Sequence, residues 1–250
     1  MPGALSFQQW IKPVSTMTRP KSICIVGKPK AGKTTLAASA YEIAGLRAAG
    51  KGVLILEAES GTASIASAYP NVDQVPIANH IAFEQVVNEL LTVPHNYGVV
   101  IVDTYDKMQK NARDHMLAVG ASNTQKAWGD VGDWTEKTAW KLHNAPFLVI
   151  FLIHETTEKN DRTAQWMTNF GLQGGSVKSL GQVFDIIGHL TVKTDPNTGQ
   201  SVRTLQVGQQ EGNVTGNRYE SFLPSSIDNP TIPGIFELIE AGIPTTAQSN

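Results

Sequence analysis

Apolar residues in this chain gather into short unbroken runs. Residues 22–26, 53–57, 99–103 and 147–153 are each of strand length, and the segments between them are long enough to hold crossover helices. Unbroken apolarity predicts strands covered on both faces, as in a parallel sheet. Residues 34–49 carry the clearest helical spacing, with Leu36, Ala40 and Ile43 on one face and Gly50 following as a C-terminal cap. Residues 82–92, 105–117 and 134–143 are further helical segments. Beyond Gln182 the texture changes: residues 185–194 and 201–207 flank Asp195-Pro196-Asn197-Thr198-Gly199, turn chemistry that predicts an antiparallel hairpin at one end of the sheet. The expected fold is α/β, a mostly parallel twisted sheet with helices on both faces and an antiparallel C-terminal hairpin.

Composition narrows the class. A chain of 250 residues with 41% hydrophobic and 17% charged positions and a mean hydropathy of -0.15 is expected to be one globular domain with a sizeable core. The reading is an N-terminal arm over 1–20, a domain over 21–240 and a polar tail over 241–250. The longest strongly apolar run, 147–153, is far short of the roughly 20 residues that cross a bilayer, so no membrane role is expected. Cys24 stands alone, which excludes a disulfide framework or a cysteine-built zinc site and suits a reducing compartment. Residues 1–20 lack the apolar core of a signal peptide, so a cytoplasmic location is expected. A formal charge of -2 provides no global attraction to nucleic acid, and any such binding needs a local basic surface.

The strongest chemical signal is Gly27-Lys28-Pro29-Lys30-Ala31-Gly32-Lys33-Thr34, a complete G-x-x-x-x-G-K-[ST] pattern between an apolar strand and a helical run, with Thr35 following. Phosphate oxygens need several donors at once. A glycine-containing turn entering a helix supplies backbone N–H groups, Lys33 adds a positive charge for the β and γ phosphates, and Thr34 offers a hydroxyl to Mg²⁺. A bound nucleotide is therefore expected.

A metal-bearing triphosphate also needs a carboxylate at the end of another strand. Asp103 closes Val99-Val100-Ile101-Val102-Asp103 and suits that role, although it equally suits an N-cap for the helix that follows. Hydrolysis needs a group to polarise water. Val53 to Glu59 ends in Glu57 and Glu59, of which Glu59 lies further past the strand end; both also fit as solvated loop acids.

With these residues in view, the chain resembles the RecA-like recombinase ATPases, especially the short phage-encoded members implicated in single-strand annealing. The resemblance runs roughly over 21–240. It rests on the Gly27 to Thr35 loop, on Leu54 to Glu59, on Val99 to Thr104, and on Val149-Ile150-Phe151-Leu152-Ile153-His154. It implies that Glu59 is the catalytic glutamate and that His154 occupies the γ-phosphate sensor position. It also implies that a DNA-binding loop follows His154. In residues 155–175, Lys159, Arg162 and Lys178 just beyond would meet single-strand phosphates, while Trp166 and Phe170 would stack on bases. The same stretch also fits a charged surface loop with partly buried aromatics. Gly216-Asn217-Arg218 is similar to the basic finger that relatives present to a neighbour's ATP, which implies a homo-oligomer, ring or filament; a plain hairpin arginine is the other reading. A second basic segment holds Lys107, Lys110, Arg113 and Lys126 with Trp128, and it equally fits a solvated helix.

The expected function is therefore a DNA-stimulated ATPase acting on single-stranded DNA in recombination or strand annealing, in concert with a single-strand-binding protein. The motor domain of a hexameric helicase and a nucleotide-gated scaffold with little hydrolysis are the alternatives. The six histidines lack the H-x-x-x-H spacing of metal-dependent hydrolases, and six arginines are few for the phosphate clamp of a small-molecule kinase.

Overall fold

Strand β1 (Ser22–Gly27) is buried along its whole length. Its alternating residues serve two separate cores: Cys24 and Val26 face one layer of helices, Ile23 and Ile25 the other. This is the arrangement the unbroken apolar runs predict. In the computed structural model the described residues are 19–59, 61–118, 124–159, 165–173, 179–196 and 198–242.

After β1 come α1 (Lys33–Ala38), a 3₁₀ turn (Ser39–Glu42), α2 (Ala44–Ala48), β2 (Gly52–Glu57) and β3 (Asp73–Pro76). Then follow α3 (His80–Thr92), β4 (Tyr97–Asp103), α4 (Tyr105–Ala118), α5 (Thr124–His143), β5 (Leu148–Lys159) and β6 (Trp166–Phe170). The chain continues through β7 (Ile186–Thr194), β8 (Ser201–Gln206), β9 (Gly216–Asn217), β10 (Ser226–Asp228) and α6 (Ile232–Gly242). The sheet order is β10-β8-β7-β1-β5-β4-β2-β3, with β6 paired to β5 and β9 to β7. From β7 to β3 every neighbouring pair is parallel, and β8 runs antiparallel to both β7 and β10.

One face of the sheet packs Val100, Val102, Val149 and Phe151 against Phe83 and Leu90 of α3, Met108 and Ala112 of α4, and Leu142 of α5. The other packs Ile55, Ile101, Ile150 and Leu152 against Leu36 and Ala37 of α1 and Ile235 and Ile239 of α6. Each fully buried aliphatic side chain contributes about 1.5–3 kcal/mol of transfer free energy, so the parallel strands are fixed from both sides. The ladder aligns Gly27 with His154 and Glu57 with Asp103. The carboxyl ends of β1, β2 and β4 therefore meet His154 of β5 at one edge, where open α/β sheets gather their ligands.

Several expectations change. The single helix over 34–49 is three short pieces. Ser39 turns its hydroxyl to Leu36 O at 2.6 Å and accepts Ile232 N–H at 2.9 Å, and Ile43 is extended at φ -61, ψ 107. Leu36, Ala40 and Ile43 are nonetheless buried, and Gly50 caps the run at φ 64. The helix expected over 134–143 begins ten residues earlier, at Thr124. The strand expected to end at Ile153 continues to Lys159 and folds back on β6, so the presumed loop after His154 is largely a hairpin pairing Glu155 with Phe170 and Lys159 with Trp166. Strand β3 went unforeseen because Asp-Gln-Val-Pro has no apolar run; Pro76 fits its edge position. The hairpin of β7 and β8 stands where expected, with Gly199 at φ 68 donating to Asp195 O. No helix among the described residues is long and apolar enough to cross a membrane.

Candidate functional site

The loop between β1 and α1 is shaped by its backbone. Lys30 and Gly32 are left-handed at φ 66 and φ 97, and Ala31 N–H closes a turn onto Lys28 O at 3.2 Å. A side chain on Gly27 would place Cβ 2.6 Å from Leu190 O, so glycine is required where β7 presses on the loop. Lys33, Leu36 and Ala37 are buried and anchor α1 below the loop. Lys28, Pro29, Lys30 and Thr35 are exposed around it. The Lys33 ammonium curls over the loop and donates to Gly27 O at 2.9 Å and Lys28 O at 3.0 Å. Burial lowers its pKa, while Asp106, Asp103, Glu59 and Glu155 pull the other way. The loop thus holds a desolvated cation under the attraction of four carboxylates.

Thr34 Oγ1 donates to Asp103 Oδ2 at 2.8 Å. Asp103 is 4% exposed and is raised above its ordinary pKa by burial, with the Thr34 hydrogen bond and Lys33 opposing. Two oxygen ligands, from the loop helix and from the end of β4, suit a divalent cation that keeps most of its waters. Thr34 and Asp103 would hold Mg²⁺, which supplies charge neutralisation for a bound triphosphate. Asp103 stands at the end of β4 and receives the threonine hydroxyl; among the described residues no backbone N–H of α4 donates to its side chain. The cap reading fails for that reason.

The two glutamates after β2 separate. Glu57 Oε1 accepts Gly61 N–H, Thr62 N–H and the Thr62 hydroxyl at 2.7 to 3.0 Å, which makes it a brace for the turn. Glu59 is exposed and turns toward His154, with Oε2 at 3.9 Å from Nε2. His154 is held from behind: its backbone N–H donates to Asp106 Oδ1 and its Nδ1 meets Oδ2, both at 3.0 Å. That side-chain hydrogen bond raises the His154 pKa against the desolvation that would lower it. Burial alone would raise Asp106, but the bonds from His154 bring it below its usual range. With Nδ1 committed, Nε2 is the atom His154 presents to the site. Ligand atoms of Glu59, Asp106 and His154 lie within 4.8 Å of one another, a set that also satisfies metal-ligand spacing.

Sequence reasoning missed Asp106, although it stands three residues past Asp103 and shares its strand-end context. It also missed Arg203, whose Nε donates to Ala31 O at 3.3 Å from β8. The other omission is the pair Gln109 and Gln173, joined by Gln173 N–H to Gln109 Oε1 at 2.7 Å and Gln109 Nε2 to Gln173 O at 3.1 Å. No motif marks the last two, since the pairing that juxtaposes them is long-range.

Other expected residues lie elsewhere. Phe170 is 1% exposed, packed against Phe184 with ring centroids 6.1 Å apart; the apolar interior takes it, so it cannot stack on a base. Lys159 and Trp166 are exposed, opposite each other at the hairpin's far end. Arg162 and Lys178 lie outside the described residues. Arg218 sits beside Asp185, at the amino end of β7 and away from its own phosphate loop, where it donates to Gln182 O at 2.8 Å and reaches Asp185 Oδ1 at 3.3 Å.

A cavity of about 360 Å³ opens from Glu59 and Asp106 along α4, lined by Lys107, Lys110, Arg113, Trp128 and Gln173. The Arg113 guanidinium lies 5.7 Å from the Trp128 ring centroid and donates to Gln173 Oε1 at 2.5 Å. The basic segment of α4 is therefore contiguous with the acidic end of the site.

No curated protein sequence matches the chain. A family model described as an AAA domain matches residues 19–219, most of the chain and all of the loop, strand ends and acids just described. On that match and this fold, the chain belongs to the AAA domain family of P-loop ATPases.

Proposed function

We propose that this chain is a Mg²⁺-dependent, RecA-like ATPase acting on single-stranded DNA in recombination or strand annealing. ATP occupies the loop from Gly27 to Thr35, Lys33 meets its terminal phosphates, and Thr34 and Asp103 hold the metal. Glu59 orients the attacking water, and His154 reads the γ-phosphate through Nε2.

The observation that carries the DNA part is the continuity between the two halves of the site. Gly171 N–H donates to His154 O at 2.6 Å, and two residues on, Gln173 is bonded to Gln109 of α4. A displacement of His154 on hydrolysis therefore reaches the cavity bordered by Lys107, Lys110, Arg113 and Trp128, a set of cations with one indole that suits a phosphodiester chain with unstacked bases. This surface replaces Phe170 and the hairpin tip as the main contact. Arg218, pointing away from its own loop, acts at a neighbour's ATP in a homo-oligomer.

ATP turnover measured with and without single-stranded DNA tests the reading. Stimulation in wild type that is lost in Lys107→Glu/Lys110→Glu supports it. Indifference to single- and double-stranded DNA alike favours a nucleotide-gated scaffold and overturns it. Mixing Lys33→Ala with Arg218→Ala subunits should restore part of the turnover if the finger acts in trans.

A further inference from the structure

Strand β8 sits one strand beyond β7 and brings a single charged side chain onto the phosphate loop. Arg203 Nε donates to Ala31 O at 3.3 Å, and a Cβ built on Gly32 would lie 2.6 Å from the same nitrogen. The side chain thus lies against the Ala31–Gly32 peptide. Its backbone is fixed in turn: Arg203 O accepts Asn229 N–H at 2.6 Å, with Asn229 held left-handed at φ 46. No carboxylate pairs with the guanidinium among the described residues, so a fourth cation joins Lys28, Lys30 and Lys33 at this loop without a counter-charge.

We propose that Arg203 is a positioning residue for nucleotide binding, acting through the Ala31–Gly32 peptide. A trans peptide directs its C=O and N–H to opposite sides. Anchoring Ala31 O toward β8 therefore turns Gly32 N–H toward the loop's interior, where it has no protein acceptor among the described residues. Donation to the carbonyl also polarises the peptide and strengthens that N–H as a donor. Arg203 improves the loop's grip on a phosphate oxygen without itself reaching the transferred group. This rests on the nucleotide-site reading above and extends it to a strand that carries no motif.

The test compares wild type, Arg203→Ala and Arg203→Lys by titration with ATP in Mg²⁺, by steady-state turnover and by melting without nucleotide. A charge-assisted hydrogen bond at a partly exposed position is expected to change affinity about tenfold. Arg203→Ala should weaken ATP binding and raise KM by about that factor, leave kcat within about threefold, and melt near wild type. Arg203→Lys, which can still donate to Ala31 O, should recover most of the affinity. Unchanged affinity in Arg203→Ala, a kcat loss as large as the KM rise, or no recovery in Arg203→Lys overturns the inference while the nucleotide site stands. Failure of wild type to bind ATP removes the site reading itself.

Discussion

Replacing Asp103 by Asn should stabilise the ligand-free protein while sharply reducing the proposed Mg²⁺-dependent hydrolysis. A carboxylate whose pKa is raised on folding is held better neutral than charged, so the fold as a whole disfavours the ionised form. Asp103 is nearly inaccessible, and one hydroxyl, from Thr34, is the only hydrogen-bond donor described for it. Asn keeps the shape and an acceptor for that hydroxyl while removing the under-compensated charge. Leaving a buried polar group unsatisfied costs about 1–3 kcal/mol; with one bond retained and Lys33 losing a partner, a net gain of about 1 kcal/mol is expected. In a chain of this length that is about 2–4 °C in Tm. The sign with pH follows. The charge penalty is fully present above the folded-state pKa and is relieved as pH falls through it, so the difference between Asn and wild type should shrink toward acid pH. Hydrolysis should fall by about 10²–10³, the scale for losing a main electrostatic contact to transferring phosphate. Melting curves without nucleotide across pH, paired with Mg²⁺-dependent turnover, read both effects. An Asn variant that melts lower at neutral pH and retains Mg²⁺-dependent turnover would refute the assignment of Asp103 as the metal carboxylate.

Other expectations test separate parts of the structure. Glu59→Gln should cut kcat by about 10²–10³ with ATP affinity retained, whereas Glu57→Gln should lower stability through the turn it braces; equal kinetic losses would undo the distinction. Phe170→Ala should cost about 3–5 kcal/mol in denaturant unfolding, and the exposed Trp166→Ala little, so a large loss from the latter would mean the hairpin packs differently. Asp106 lifts the His154 pKa above the ordinary 6.5, a stabilisation complete below the unfolded value and lost as pH rises through the folded one. Asp106→Asn should therefore destabilise most at about pH 6 and least in alkali, and a loss independent of pH would contradict the pairing.

How much was legible depended on whether the determinant was local. Four apolar runs read as strands because both faces of each are buried, and burial leaves its mark residue by residue. The phosphate loop was legible because its chemistry lies within eight consecutive positions. Asp103 was legible as a strand end and His154 as the residue closing an apolar run, once the ladder was assumed to bring those positions together. What failed was decided by distant partners. The helix after the loop breaks where Ser39 accepts the amide of Ile232, nearly two hundred residues away in the chain, and no local propensity reports that contact. Phe170 is a stacking residue only by the resemblance, which puts a DNA-binding loop after His154; the β5–β6 register instead turns it inward toward Phe184.

The charge layout around Lys33 explains why the acids and the loop belong to one device. Asp103, Asp106, Glu59 and Glu155 all act on one buried ammonium. Four carboxylates against one desolvated lysine would repel a triphosphate, so these acids cannot be there to bind it directly. They make sense divided by task. Asp103 accepts the Thr34 hydroxyl, the pair proposed to hold a divalent cation, and Asp106 is bonded to His154. Glu59 is left exposed with His154 Nε2 at 3.9 Å, and Glu155 is bonded to His189 at 2.7 Å. Glu59, held only by the long 3.9 Å contact to His154, lines the cavity that continues to Lys107 and Lys110. If Glu59 is the base for water and Lys107 and Lys110 meet a polyanion, as proposed, the two share one wall, and whatever occupies that cavity bears directly on Glu59.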